Sequence, residues 1–152
     1  MALQVGDKAP DFTLKDQGGQ DVQLSKLVKP GGVFLYFYPK ADTPGCTSQA
    51  CGLRDVLGDV GVTVVLGISP DAPSRQAKFD QKYGLGFPLL ADEDHSVAEA
   101  YGVWAEKSMY GRKYMGIVRS AFLVDEKGKL ADVWYKISPK DTPKNLLAAL
   151  AE

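Results

Sequence analysis

The chain reads as an α/β domain, a central mixed β-sheet flanked by helices, on three observations. The run VFLYFY at 33–38 is unbroken and apolar, as a strand is when both of its faces are covered. A helix start follows it, and VTVVLGIS at 62–69 then supplies the β-branched content of a sheet centre, so strand, helix and strand make one βαβ unit. Glu126-Lys127-Gly128 separates two further apolar stretches, 117–124 and 129–135, which predicts a hairpin and adds antiparallel strands to the sheet.

The remaining elements fall in order. Residues 12–14 and 22–24 flank Gly18-Gly19 and predict an N-terminal β-hairpin at the edge of the domain. Pro39 ends the central strand, 40–43 turn, and Pro44 at a first helical position makes Thr43 the N-cap of a helix running to about residue 57. Pro73 opens a helix through residue 83, closed by Gly84-Leu85-Gly86, and 87–91 is a short strand. A helix covers 96–101 and ends at Gly102, with Asp92, Glu93 and Asp94 near its start. Residues 104–116 carry mixed charge and no clear period and read as a loop. Thr142 caps the last helix, Pro143 is its first residue, and Leu146, Leu147 and Leu150 form its apolar stripe. Neither a repeat nor a linker interrupts this order, so residues 1–152 are expected to be one domain. A βαβ unit followed by an antiparallel hairpin and a closing helix is the arrangement of a thioredoxin-like fold.

Charge and composition narrow the partners. Lys and Arg number 18 against 19 Asp and Glu, for a net charge of −1 with the signs interspersed, which leaves no electrostatic footprint for nucleic acid or an anionic membrane. The start lacks the basic and apolar regions of a leader, and no later run approaches the ~18 apolar residues of a membrane span. Only two cysteines are present, five positions apart, unlike a secreted disulfide framework, so cytoplasm is the expected location. With one histidine, His95, a four-ligand zinc site would need distant carboxylates, and neither metal nor cofactor is expected.

Cys46 is the residue whose placement says most. It falls in the first turn of a helix that follows a buried strand, where unpaired peptide amides and the helix macrodipole favour an anion. A cysteine can supply a thiolate, so the position points to nucleophilic or redox chemistry. The alternative is a buried thiol that serves only as a small apolar filler.

The string FYPKADTPGCTSQACGLRD, with Pro39, Thr43 and Cys46 in a PxxxTxxC pattern, and the later RSAFLVDEKGK beginning at Arg119 resemble the peroxiredoxins, in particular the bacterioferritin-comigratory protein or peroxiredoxin Q branch. KAPDFTL, VLGIS and FPLLADEDHSVAEAYGVWAEKSMYG extend the resemblance over nearly the whole chain. It implies a thiol peroxidase acting on hydrogen peroxide and organic hydroperoxides, with Cys46 as peroxidatic nucleophile, Cys51 as resolving thiol, a thioredoxin-type reductant and a monomeric chain. It also gives Arg119, otherwise a plain surface arginine, the role of a permanent cation beside the sulfur and the leaving oxygen. Thr43 offers a hydroxyl to the peroxide, and Pro39 a wall without an N–H.

Residues five apart in a regular helix have Cα atoms about 8.6 Å apart, beyond the ~7 Å a disulfide tolerates, so a Cys46–Cys51 bridge requires the helix to unwind locally. Gln49 and Arg54 are candidates to support the site from the same helix. Trp104, Met109 and Tyr110 are candidates for its mouth, with plain packing as the alternative, and Tyr38 reads as a core aromatic of the strand and a candidate for the edge of the site. Three readings compete with a peroxidase: a thiol–disulfide oxidoreductase, disfavoured because four residues rather than two separate the cysteines; a redox sensor using the same Cys46; and a structural module with two inert thiols.

Overall fold

The apolar run at 33–37 forms the middle of a seven-stranded sheet. The structure, a computed structural model, describes residues 2–28 and 30–151. Strands β1 (Thr13–Lys15), β2 (Asp21–Gln23), β3 (Val33–Phe37), β4 (Val64–Ser69), β5 (Leu89–Ala91), β8 (Ser120–Val124) and β9 (Leu130–Trp134) lie in the order β2-β1-β5-β4-β3-β8-β9. β3, β4 and β5 are parallel, while β8, β9 and the N-terminal β1–β2 hairpin add antiparallel pairs on either side. The fold is thioredoxin-like, a central mixed sheet with helices on both faces.

Every residue of β3 is buried, because side chains alternate between two covered faces. Val33, Leu35 and Phe37 join one core with Leu66, Ile68, Tyr101 and Phe122, under the short helices α1 (Leu24–Leu27) and α4 (Ser96–Ala100). Phe34 and Tyr36 join the other with Leu89 and Leu123, under α2 (Pro44–Val56), α3 (Pro73–Tyr83) and α5 (Thr142–Leu150). The second core contains Cys46. α2 and α5 pack closely at Gly52, where a Cβ would stand 2.9 Å from the Pro143 ring.

Several local expectations are corrected. Residues 104–116 are not a loop: β6 (Trp104–Met109) and β7 (Arg112–Ile117) form a separate two-stranded hairpin. Its tight turn is Tyr110-Gly111, both at positive φ (52° and 78°), the backbone of a primed turn. Residue 117 therefore ends β7, and β8 begins only at Ser120. Thr43 has the extended backbone of an N-cap, but its hydroxyl does not cap the helix; it donates to the Lys40 carbonyl at 2.8 Å. Thr142 is the first residue of α5 rather than its cap, that position belonging to Asp141. The strands at 62–69 and 87–91 begin later than expected, at Val64 and Leu89, and α1 was not anticipated.

Candidate active site

Cys46 stands in the first turn of α2 and is 1% exposed, its sulfur against the core that includes Tyr36, Tyr38, Ala50 and Ala121. The helix starts where it does because Pro44 supplies a preset φ and needs no N–H partner. Arg119 reaches the sulfur from the link between β7 and β8, with Nη1 donating to Sγ at 3.5 Å. Two backbone contacts anchor that link: the Val118 N–H donates to the Val103 carbonyl, and the Ile137 N–H to that of Arg119. Gly45 makes room for the guanidinium, since a Cβ there would come within 3.2 Å of Arg119 Nη2 and 3.6 Å of the Pro139 ring.

A buried polar chain fixes the arginine. Arg119 Nη1 also donates to Gln49 Oε1 at 2.7 Å, Gln49 Nε2 donates to Thr142 Oγ1 at 2.9 Å, and the Thr142 hydroxyl donates to the Ser138 carbonyl at 2.8 Å. Gln49 and Thr142 are fully buried. Gln49, one helical turn beyond Cys46, thus holds the cation at the sulfur, and α5 holds Gln49. Both cysteines are free thiols on the one continuous helix, Cys46 buried and Cys51 partly exposed.

Residues 5–133 match the AhpC/TSA family. Peroxiredoxin Bcp of Bacillus subtilis is 43% identical over 154 residues, covering 100% of this chain and 98% of that protein. Peroxiredoxin Bcp of Escherichia coli K12 is 51% identical over 135 residues, covering 87% of this chain and 85% of that protein. The chain belongs to the AhpC/TSA family, among its Bcp-type peroxiredoxins. A solved structure of the Xanthomonas campestris bacterioferritin comigratory protein, described in connection with its alkyl peroxide reduction activity, superposes with a TM-score of 0.86 at 33% identity. It covers 92% of this chain and 90% of that one.

In this peroxiredoxin the other candidate residues divide. Pro39 is partly buried in the segment joining β3 to α2, and Thr43 directly precedes the helix that carries Cys46. Tyr38 is buried in the Cys46 core, with its hydroxyl donating to Gln76 Oε1. Burial pushes the Tyr38 phenol well above its ordinary range, so it stays protonated at neutral pH. Tyr36, stacked on Tyr38 with ring centres 5.4 Å apart, is buried as deeply, and its hydroxyl has no hydrogen-bond partner among the described residues. Burial, above all, raises its pKa too.

Arg54 turns away from Cys46, donating to the Tyr83 carbonyl at the end of α3 and pairing with Asp55. Trp104 stacks on His95 at 4.0 Å, and Met109 and Tyr110 are exposed at the tip of the β6–β7 hairpin. No hydrogen bond or ring contact among the described residues joins those three to Cys46. The sequence suggests only a helix cap for Thr142; its place in the polar chain has no local signal, because its partner Gln49 lies 93 residues away.

Proposed function

We propose that this peroxiredoxin reduces hydrogen peroxide and organic hydroperoxides through a Cys46 sulfenic acid that Cys51 resolves as an intramolecular disulfide. The observation that carries the reading is the Arg119 guanidinium on the Cys46 sulfur at the start of α2. A thiolate there is held by a cation that keeps its charge at any working pH and by the amides of the first turn. Attack by sulfur forms an S–O bond and breaks the O–O bond, placing negative charge on the departing oxygen. A guanidinium already locked by Gln49 stabilises that charge without having to reorganise. Thr43, whose proton is committed to the Lys40 carbonyl, has lone pairs left to accept from the peroxide O–H. Pro39 presents no N–H that would draw water to the sulfur.

The second step has a different requirement. On an intact α2 the two Cα atoms are about 8.6 Å apart, so the sulfenic acid meets Cys51 only after part of the helix opens. A second peroxide arriving first takes Cys46 to the sulfinic acid. A thioredoxin-type dithiol in the cytoplasm then reduces the bridge, and the chain works as a monomer.

The test combines turnover with thioredoxin and thioredoxin reductase, Cys46→Ser, and amide exchange of reduced and peroxide-treated protein with the disulfide mapped by mass. Loss of turnover in Cys46→Ser, a Cys46–Cys51 bridge within one chain, and faster exchange across α2 after oxidation are expected. Turnover retained in the variant removes the nucleophile, and unchanged exchange or a bridge between chains removes the local-unfolding step.

A further inference from the structure

The segment that carries both cysteines is tied down on each side, and both ties lead to one residue of α3. Two residues before α2 begins, Asp42 turns its carboxylate to the end of α3: Oδ1 accepts from the Tyr83 hydroxyl at 3.1 Å, and Oδ2 pairs with Lys82 Nζ at 3.1 Å. In the last turn of α2, Arg54 Nη1 donates to the Tyr83 carbonyl at 2.7 Å. That carbonyl is one of the helix-end acceptors that lack an intrahelical partner, and a cation suits the C-terminal end of a helix. Asp42 and Arg54 bracket Cys46 and Cys51 alike.

Tyr83 is itself well fixed. Its ring meets Phe79 edge-on, with centres 5.7 Å apart, and Phe79 packs in the core that holds Tyr38 and Cys46. Lys82 Nζ lies 5.4 Å from the centre of the Tyr83 ring while it reaches Asp42. Asp42 has a φ of 61°, in the left-handed region that residues other than glycine rarely adopt, so its contacts with α3 help to hold a turn that is strained at this residue. The anchors lie on α3, outside the piece of chain that has to move.

We propose that Tyr83 clasps α2 from both sides and sets the rate at which Cys51 reaches the Cys46 sulfenic acid. The inference rests on the reading of Cys51 as resolving thiol. In that step the S–S bond forms as the S–O bond of the sulfenic acid breaks; Cys51 is oxidised, the Cys46 sulfur is reduced, and the hydroxyl leaves with the Cys51 proton as water. The two Cα atoms must first come from about 8.6 Å to within ~7 Å, and contacts made by the closed helix but not by the open one hold back that opening. Peroxide attack, by contrast, runs on the closed helix, where Arg119 meets the sulfur. Tyr83 therefore divides Cys46 between two fates. A tight clasp prolongs the sulfenic acid and leaves it open to a second peroxide, and a loose one favours the disulfide.

The test uses the full chain and hydrogen peroxide. Tyr83→Phe keeps the ring and deletes only the bond to Asp42, and is expected to speed formation of the Cys46–Cys51 disulfide about two- to tenfold. Arg54→Met, which loses a charge-assisted bond at the other end, should speed it about tenfold or more, and in both variants the first oxidation of Cys46 should change less than about twofold. The peroxide concentration that turns half of Cys46 to sulfinic acid should rise by the same factor as the bridging rate. Amide exchange across residues 45–53 of the reduced protein should quicken by that factor too, while β3 and β4 exchange as in the wild type. Disulfide formation at or below the wild-type rate in either variant, a first oxidation slowed with it, or exchange raised equally through the whole domain overturns the clasp. The exchange measurement needs no disulfide, so the two failures separate. A wild-type chain that forms no internal bridge removes the reading of Cys51, whereas reduced variants whose α2 exchanges at the wild-type rate remove the clasp.

Discussion

Gln49 offers the sharpest perturbation of the active site, because it touches the cation without touching the sulfur. Gln49→Met keeps the length and volume of the side chain and deletes both of its hydrogen bonds. The bond from Arg119, at 2.7 Å, has a charged donor and contributes about 1.5–3 kcal/mol, and the neutral bond to Thr142, at 2.9 Å, about 0.5–1.5 kcal/mol. Thr142 still donates to the Ser138 carbonyl, so its hydroxyl is not orphaned. The expected loss is about 2–4 kcal/mol of unfolding free energy, seen as a lower denaturation midpoint in guanidinium chloride at an unchanged slope.

The effect on rate should be smaller than that of losing the cation altogether, since the guanidinium remains nearby but is no longer held. About tenfold slower oxidation of Cys46, or 1.4 kcal/mol, is the expected share. Gln49→Glu separates position from charge: it retains an acceptor for Arg119 but adds an anion that competes with the thiolate for it. That variant should unfold closer to wild type yet oxidise more slowly than its stability suggests. Stopped-flow oxidation of the reduced protein at several peroxide concentrations measures both. A Gln49→Met protein that reacts at the wild-type rate would show that Arg119 needs no positioning, and the argument from the polar chain would fall.

Arg119→Met should slow Cys46 oxidation by a factor of about ten to a thousand, equivalent to about 1.4–4 kcal/mol, while near-ultraviolet circular dichroism stays unchanged; a wild-type rate would reduce Arg119 to a packing residue. Cys51→Ser should still react once with peroxide, accumulate sulfenic acid on Cys46 and pass more readily to the sulfinic acid, as intact mass at rising peroxide would report. Resistance to over-oxidation equal to wild type would mean that another group intercepts the sulfenic acid. Tyr36→Phe removes a buried hydroxyl that lacks a partner and should raise the unfolding free energy by about 1 kcal/mol. A drop in stability would reveal a bond that the hydroxyl makes.

Contacts close along the chain, and strands covered on both faces, were the legible part of this molecule. β3 is a wholly apolar run, and β4 and β8 are apolar but for one terminal serine each, because burial on two sides leaves little place for polar residues. Cys46 could be placed at a helix start because Pro44 marks that start from two positions away. The β6–β7 hairpin was illegible for the opposite reason. Most of its residues are exposed, so Glu106, Lys107 and Ser108 opposite Lys113, Tyr114 and Met115 leave no alternation to read, and its turn uses Tyr110 where Asn or Asp is the usual signal. The polar chain depends on pairings across 70 and 93 residues, and a glutamine in mid-helix looks the same whether it faces water or an arginine. Thr43 shows a finer limit, since its type suited a helix cap but the turn before it placed a carbonyl within closer reach.

The two glycines of the first long helix have a consequence beyond the room they make. Gly45 lets the guanidinium lie against the first turn, and Gly52 lets Pro143 sit where a methyl group would stand. A glycine in a helix interior costs about 1 kcal/mol relative to alanine, so the residue that allows the closing helix to press against α2 also makes α2 less robust. If resolution requires α2 to open, intimacy with its neighbours and readiness to come apart are one property of this segment. Gly52→Ala combined with Pro143→Ala, which restores the space, should slow bridge formation without altering the first oxidation; an unchanged bridging rate would dissociate the two. A reinforced protein of this kind would be sturdier on the shelf and shorter-lived under oxidant, its durability as a fold bought from its endurance as an enzyme.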